Sequence, residues 1–324
     1  MSDALLRLAA ALPAGDYRPG ARLARELGLS GPALRQGVAR LRALGLAVEG
    51  LPGQGYRVSD AMELLDSATL RQRLSPSALR ALGGIEVVAS IDSTNSEMLR
   101  RSGDRFHAVA LFAEHQGGGR GRRERRWHSP FARNLYLSVG WHYDRPPADL
   151  ASLSLAVAVT VAEALESAGL PTVALKWPND LLLDERKVGG MLVESRQGRG
   201  GCRVVVGVGI NVRMGDDPGA AEIDQPWTDL ANHDPQVSRN AVAAILLEGL
   251  LPALAGFEDT GFFPFRDRWS ARDALRGRRV TLYREGEAIS GRAVGLGPGG
   301  GLLLDTGAGS PLECCAGEIT SHAP

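Results

Sequence analysis

Lysine is almost missing from this chain. Of 37 strong bases in 324 residues only Lys176 and Lys187 are lysines, and both lie in the run Lys176-Trp177-Pro178-Asn179-Asp180-Leu181-Leu182-Leu183-Asp184-Glu185-Arg186-Lys187-Val188-Gly189-Gly190. A chain so biased towards arginine can use a guanidinium wherever a surface needs only positive charge. Two ammonium groups retained together therefore mark a place that needs a compact point charge. Net charge is missing too: the formal value is +0, which excludes a global field drawing the protein to nucleic acid or membrane and leaves only local patches. Cysteine is scarce. Cys202 and the adjacent Cys314-Cys315 form neither a disulfide framework nor a CxxC metal pattern, so they fit a reducing compartment and are expected to be packing residues. The stretch from Leu153 to Leu165 is too short and too interrupted to span a bilayer, and Asp3 stands where a signal peptide wants bases. The expectation is a cytoplasmic protein with no membrane attachment.

What the chain does have is a hydrophobic fraction of 44%, enough for a full core, in a length that exceeds one average domain. Two or three domains are expected. Residues 1–60 carry eight Arg against five acids. Apolar residues recur at helical spacing at Leu5, Leu8, Ala9 and Leu12, the segment Pro13 to Gly20 interrupts them, and Ala21, Leu23, Ala24 and Leu27 restart the pattern. After a turn at Gly28-Leu29, Ser30 can cap a further helix with Pro32 near its first position and Leu34, Val38 and Leu41 on one face. Pro32, Arg35, Gln36 and Arg40 remain for the other face. Helix, glycine turn, helix predicts a helix-turn-helix, and Leu46 to Val58, with turn signals at Gly50, Pro52-Gly53 and Gly55, predicts a hairpin wing. An ordinary three-helix packing unit would share much of this pattern; the basic excess and the wing favour DNA. That excess is modest, so a monomer should bind weakly and a dimer on a two-fold operator is expected.

From Ile85 the texture changes. Strands are expected at Ile85 to Ile91, Val109 to Ala113, Leu135 to Trp141, Val173 to Trp177, Val188 to Glu194 and Val204 to Ile210, with helices at Ser93 to Arg101, Leu150 to Ala168 and Arg239 to Phe257. Mixed strand order with helices on one side makes an α+β sandwich. Its most basic feature is Gln116-Gly117-Gly118-Gly119-Arg120-Gly121-Arg122-Arg123-Glu124-Arg125-Arg126-Trp127. Glycines let backbone N–H groups converge on an anion, arginines neutralise phosphate, and a tryptophan gives a base something to stack on. No Gly-Lys-Ser/Thr follows, so this is not a Walker loop, and Gly207-Val208-Gly209 is too short for a dinucleotide fingerprint. A flexible loop or an RNA-binding tract would read similarly. The last fifty residues give short strands at Val280 to Tyr283, Ala288 to Leu296 and Leu302 to Leu304 around turns at Glu285-Gly286 and Gly297 to Gly301, which suits a small barrel.

The Arg loop with Trp127, the run from Lys176 to Asp180, Lys187 with Gly189-Gly190, the turn Asp92-Ser93-Thr94-Asn95 and the strand Gly207 to Asn211 together resemble biotin protein ligase. With the amino-terminal unit the chain is similar to the bifunctional bacterial form that also represses the biotin operon. The resemblance implies an α+β architecture of three parts: a winged helix-turn-helix at 1–62, a mixed-sheet catalytic domain of the biotin/lipoate ligase type at 63–276, and an SH3-like β-barrel at 277–324. It implies biotin and ATP as substrates with Mg2+, a biotin carboxyl carrier protein and operator DNA as partners, and a homodimer when the adenylate is bound. By the same resemblance Ser93, Thr94, Asn95, Gln116, Gly119, Arg120, Gly121, Arg122, Lys187, Gly190 and Gly207 would bind biotin. Arg122, Trp127, Asn179, Lys187 and Asn211 would bind ATP, Lys187, Arg120, Arg122 and Asp180 would act in catalysis, and Pro32, Arg35, Gln36 and Arg40 would face DNA. Val212 to Trp227 would be a second lid, and Trp177 core rather than ligand.

Plainer readings stand beside these. Thr94 and Glu97 make a capping-box pattern, Lys187 could be a solvated hairpin lysine beside Glu185, and the barrel could be an inert cap. Two departures from the family pattern stand out: Glu124 replaces a usual glycine, and Gly117-Gly118 replaces a polar residue followed by alanine. Glu124 can pair with a neighbouring Arg, whereas Gly117-Gly118 should loosen the open loop and raise its ordering cost. A ligase without regulation, a pure effector-responsive repressor and a lipoate ligase are the rival functions. The full catalytic set opposes the second, and the polar residues at 93, 94 and 116 oppose the third because lipoate's ring is apolar.

Overall fold

The computed structural model describes residues 2–198, 200–215, 217–284 and 286–321. Three helices come first, α1 (Ser2–Ala11), α2 (Gly20–Leu27) and α3 (Gly31–Ala43), followed by an antiparallel hairpin of β1 (Val48–Leu51) and β2 (Gly55–Val58). The local chemistry is the one expected. Gly28 ends α2 in the left-handed region at φ 67, and the Ser30 hydroxyl accepts the Ala33 N–H to start α3. Leu34, Val38 and Leu41 are buried, and Pro32, Arg35, Gln36 and Arg40 are exposed on the opposite side of α3. This unit is not isolated: its core continues into Ala89, Phe131 and Ala132 of the central domain.

Two short helices, α4 (Ser67–Arg73) and α5 (Pro76–Ala81), were not expected; each is set by a side-chain cap, Asp66 and Ser75, and not by a long apolar stripe. The central domain then runs β3 (Gly84–Val88), α6 (Thr94–Arg100), β4 (Val109–Ala113), β5 (Leu135–Tyr143), α7 (Leu153–Ser167), β6 (Ala174–Lys176), β7 (Asp180–Leu183), β8 (Arg186–Gly198), β9 (Gly201–Ile210), α8 (Arg239–Thr260) and α9 (Arg266–Ser270). Its strands form one sheet in the order β3-β4-β5-β9-β8-β7-β6, parallel only between β3 and β4. The last part is a five-stranded antiparallel sheet of β10 (Arg279–Arg284), β11 (Glu287–Leu296), β12 (Leu302–Asp305), β13 (Leu312–Cys314) and β14 (Glu318–Ser321), in the order β13-β12-β11-β10-β14. Glu285, in the expected turn after β10, lies outside the described residues, and strand β7 was missed in the sequence.

Strand alternation divides the central sheet into two unlike faces. Leu135, Leu137, Val139 and Trp141 of β5 join Val204, Val206, Val208 and Ile210 of β9 against the apolar helices α7 and α8. On the other face Met98 of α6 covers Val109, Leu111 and Val205. Helices therefore lie on both faces, not on one as expected, because α6 follows β3 directly and has an apolar side of its own to bury. Beyond α6 that second face is left open, and its residues fall in two rows by register: Ser138–Gly207–Leu192 and Tyr136–Gly209–Gly190.

The barrel shares the main core, contributing Val280, Leu282, Ala293, Leu296, Leu302 and Leu304. Trp177 is 3% exposed and donates its Nε1 hydrogen to the Gly300 carbonyl at 3.0 Å, so it is a core residue clamping barrel to sheet. Cys202 and Cys314 are buried as packing residues, but Cys315 is exposed, since adjacent residues at a strand end face opposite ways.

Among the described residues one ion pair is buried at both partners. Arg239, at the start of α8, places Nη2 2.7 Å from Oε2 of Glu114, and the two side chains are 3% and 0% exposed. Glu114 Oε1 also accepts the Leu65 N–H at 2.6 Å, and Arg239 donates to the carbonyls of Asn134 and Glu63. Replacing Arg239 with Met would strand a buried carboxylate, and Arg239→Met should cost about 3–5 kcal/mol. A lowered midpoint of the catalytic domain in urea unfolding measures it; an unchanged midpoint would refute the account.

Candidate active site

The open face of β5, β9 and β8 is the floor of a cavity of about 640 Å³. Its walls come from the polar turn Ser93 to Asn95, the arginine loop, the segment Lys176 to Asp180, Lys187, the loop 219–225, and Gly317 with strand β14 as far as Thr320. The barrel therefore contributes wall residues and is more than a cap.

Glycines make the floor usable. A Cβ on Gly207 would sit 2.3 Å from Oδ1 of Asn95, and one on Gly209 would sit 2.7 Å from the Trp127 ring. Their absence lets Asn95 and Trp127 lie against the sheet, two residues apart along one strand, a separation of about 6–7 Å.

At the Gly207 row the groups are polar and interlocked. Ser93 caps α6, accepting the Ser96 N–H at 3.4 Å, so the cap is Ser93 and not Thr94; Glu97 pairs with Arg100 and Arg101 instead of reaching back. Thr94 is thereby free to give its N–H and hydroxyl to Gln116 Oε1, at 2.9 and 3.1 Å, while Gln116 Nε2 donates to Ser129. Ser138 Oγ lies 2.7 Å from Thr94 Oγ1 and 2.6 Å from Asn95 Oδ1. The Asn95 amide is spent on the Leu192 carbonyl and on Glu194, which makes it a support for this row. Ser129, Ser138 and Glu194 went unnoticed in the sequence: Ser129 trails Trp127 by two residues, and nothing in the local pattern singles out the other two.

At the Gly209 row the groups are charged. Lys187 Nζ lies 2.7 Å from Asp180 Oδ1 and 5.4 Å from the Trp127 ring centroid, so it faces the cavity wall and is not a solvated hairpin lysine. Lys176 stands opposite Asp180 across the β6–β7 pair, and burial pushes its pKa down, with Lys187 and Arg125 adding to the effect and Asp180 opposing it. Asn179 lines the cavity and donates to the Met191 carbonyl at 2.7 Å. Gly190 adjoins Lys187, a Cβ there meeting Lys187 Cε at 3.4 Å. Asn211 is not among the lining residues: its amide goes to the carbonyls of Thr228 and Lys187, which anchors the end of the 212–227 loop.

The arginine loop folds back on itself, with an Arg120–Arg126 bridge and the Gly121 N–H bonded to the Arg125 carbonyl. Gly119 is off the lining but required by crowding, since a Cβ would lie 2.7 Å from Ser129 Oγ and from the Trp127 carbonyl. Each outer arginine finds an acid on a different element: Arg120 reaches Glu194 on the floor at 3.2 Å, Arg126 reaches Glu222 of the 212–227 loop at 3.8 Å, and Arg125 reaches Glu318 of β14 at 2.5 Å. His128 and Asp217 add a second clasp to the 212–227 loop at 2.7 Å. Arg122 has no ion pair among the described residues, and burial together with Arg123 holds its pKa below the ordinary guanidinium value. Arg120 Nε and Trp127 Nε1 are buried without a partner, two donors awaiting an acceptor.

The two departures noted in the sequence have distinct consequences. Glu124 sits at φ 60, a left-handed conformation that glycine adopts freely, and it pairs weakly with Arg120 at 3.8 Å. Gly117 and Gly118 are held by N–H bonds to the carbonyls of Ile91 and Asp92, and a Cβ on either meets nothing closer than 3.5 Å. Side chains would fit there, so nothing in the packing requires glycine at either position.

Residues 87–211 match the Biotin/lipoate A/B protein ligase family, and residues 8–57 match an HTH domain. The bifunctional ligase/repressor BirA of Escherichia coli is 36% identical over 301 residues, 93% of this chain and 92% of that protein, and its Salmonella typhimurium counterpart is 37% identical over 304 residues with the same coverage. The solved biotin protein ligase from Aquifex aeolicus in complex with biotin and ATP has a TM-score of 0.64 at 29% identity, covering 74% of this chain and 99% of that one. The chain belongs to the biotin protein ligase family in its bifunctional ligase/repressor form: a helix-turn-helix, a mixed-sheet ligase fold and an SH3-like set of antiparallel strands.

Gly207→Ala should displace Asn95 and weaken biotin binding by about tenfold or more, the order expected when a Cβ is forced into a packed polar site. Isothermal titration checks this, and an unchanged affinity would show that Asn95 does not need the glycine floor.

Proposed function

We propose that this protein activates biotin with ATP to biotinyl-5′-AMP and pyrophosphate, transfers the acyl group to one lysine of a biotin carboxyl carrier protein domain, and represses transcription with the adenylate as corepressor. The observation that carries the reading is the meeting, in one cavity, of a neutral polar row and a cationic row one strand step apart. Ser93, Thr94 and Gln116, with backbone at Arg120, suit the ureido ring, in a slot completed by Gly121, Gly190 and Gly207, with Gly119 packed behind it against Ser129 and Trp127. Trp127 offers a face to adenine, and Asn179 supports the nucleotide side.

The chemistry asks for cations where the two anions meet. A biotin carboxylate oxygen attacks the α-phosphorus, the bond to the β-phosphate oxygen breaks, and pyrophosphate leaves. Lys187, Arg120 and Arg122 offset the repulsion and stabilise the negative charge on the phosphoryl oxygens in the transition state. In the second step an uncharged acceptor amine attacks the acyl carbon, the bond from that carbon to the phosphate oxygen breaks, AMP departs and the amine nitrogen gives up one proton. Asp180, which already orients Lys187, is placed to orient that amine. Magnesium would arrive with the ATP phosphates: among the described residues no group of three or more His, Cys, Asp or Glu is arranged to hold a metal, so phosphate oxygens would supply most of its ligands. The 212–227 loop, clasped to the arginine loop, excludes water from the anhydride.

Mixing the protein with biotin, Mg-ATP and a carrier domain should give a carrier mass gain with biotin and none with lipoate, and Lys187→Ala should abolish adenylate formation while the fold is kept. Wild-type pyrophosphate release from that variant would overturn the role of Lys187, and transfer of lipoate instead of biotin would overturn the substrate.

For regulation, the exposed Pro32, Arg35, Gln36 and Arg40 face of α3 is the proposed DNA-reading surface, acting in the cytoplasm as one half of a homodimer. The domain limits proposed are residues 62 and 276. Adenylate should order the two loops and strengthen dimerisation. Sedimentation that gives the same dimerisation constant for empty and adenylate-loaded protein would refute corepression.

A further inference from the structure

One carboxylate joins the neutral polar row to the arginine loop. Glu194 of β8 lies beside the floor, its side chain 26% exposed, with both oxygens 3.2 Å from Nη2 of Arg120 and with Oε2 also accepting the Asn95 amide at 2.9 Å. Asn95 continues through Ser138 to Thr94 and Gln116, so an unbroken chain of polar contacts runs from the arginine loop to the neutral polar row. An amide oxygen at position 194 would still accept from Asn95, with a weaker bond. The larger loss falls on the guanidinium, where both partners are charged and a glutamine would remove the ion pair altogether.

The state of Arg120 fits this. Its Nη2 is held by Glu194 and its Nη1 is 3.8 Å from Glu124, while Nε is buried with no partner although the residue lines the cavity. A guanidinium held at Nη2, with Nε unspent, is set to hold an acceptor that comes later. Glu124 cannot be the main anchor: its side chain is 85% exposed and screened by water.

We propose that Glu194 is a positioning residue that acts through Arg120: it fixes the arginine loop over the bound intermediate and ties the loop's ordering to the seating of biotin at Asn95, Ser138 and Thr94. The inference rests on the ligase reading for the identity of the ligand. It predicts that loss of the charge shortens retention of the intermediate more than it weakens biotin binding, a division that simple support of Asn95 would not give.

The test is Glu194→Gln in the full-length protein, with two readouts. The first needs no activity: trypsin cleavage after Arg122, Arg123, Arg125 or Arg126, followed by mass spectrometry in the ligand-free protein, should be about tenfold faster in the variant. The second is the dwell time of preformed biotinyl-5′-AMP, expected about tenfold shorter, with the biotin KM changed less than the dwell time. In an Arg120→Ala background the Glu194→Gln change should add nothing, since the two act as a unit. Wild-type cleavage and dwell in Glu194→Gln would overturn the proposal, as would a full effect persisting without Arg120 or one confined to biotin KM. A wild-type protein that makes no adenylate would defeat the ligase reading instead, and the cleavage comparison would still decide the role of Glu194.

Discussion

The buried pair of Arg239 and Glu114 is the constraint on which the arrangement of this molecule depends. A guanidinium and a carboxylate inside a protein must find each other and satisfy their remaining hydrogen-bonding groups, or the structure loses several kcal/mol. Here those remaining groups belong to distant parts of the chain. Glu114 takes the Leu65 N–H from the segment that leads out of the winged helix-turn-helix, and Arg239 takes the Asn134 carbonyl. Asn134 then accepts the Val212 N–H with its side chain and so sets the root of the 212–227 loop. The segment leaving the DNA-reading unit and the loop that walls the cavity are thus hung from one fixed point.

A second constraint is that a sheet must shed side chains wherever something else is to lie on it. The open face of β5, β9 and β8 does this at Gly190, Gly207 and Gly209, and the freed depth is taken by Asn95 and Trp127. Charge is handled around the rim. The acids that meet the arginine loop come from the floor, from the 212–227 loop and from the barrel, so the loop draws three elements together. The positive charge left over is concentrated at Arg122 and Lys176, both facing the cavity and both partly desolvated.

Much of this was legible in the residues, and the limits have physical causes. Caps and left-handed turns act over three or four residues, so the helix-turn-helix could be read almost residue by residue from Gly28, Ser30 and the stripe of Leu34, Val38 and Leu41. Strand β7 was hidden because its four residues fall between the turns at Pro178-Asn179 and Asp184-Glu185, inside a run that drew attention for its lysines. The helices α4 and α5 are too short for periodicity to reveal. In the site, the residue types of the loop and the Lys187 segment announced anion chemistry, yet the partners of those arginines are at 194, 222 and 318, separations that no local pattern encodes. Asn211, given a nucleotide contact by the family resemblance, has a use that the sequence did not suggest: its amide goes to carbonyls of the Lys187 strand and of Thr228.

The scarcity of lysine takes on another meaning once the two that exist are located. Both line the cavity, and every other strong base in the chain is a guanidinium, which stays protonated and is a poor nucleophile. The proposed intermediate is an acylating agent for free ε-amines. A molecule of it that slipped out would travel across a protein whose surrounding arginines cannot be acylated in turn. Outside the cavity the protein offers no lysine amine to its own product, and the lysine of a docked acceptor would stand out against that background by reactivity alone.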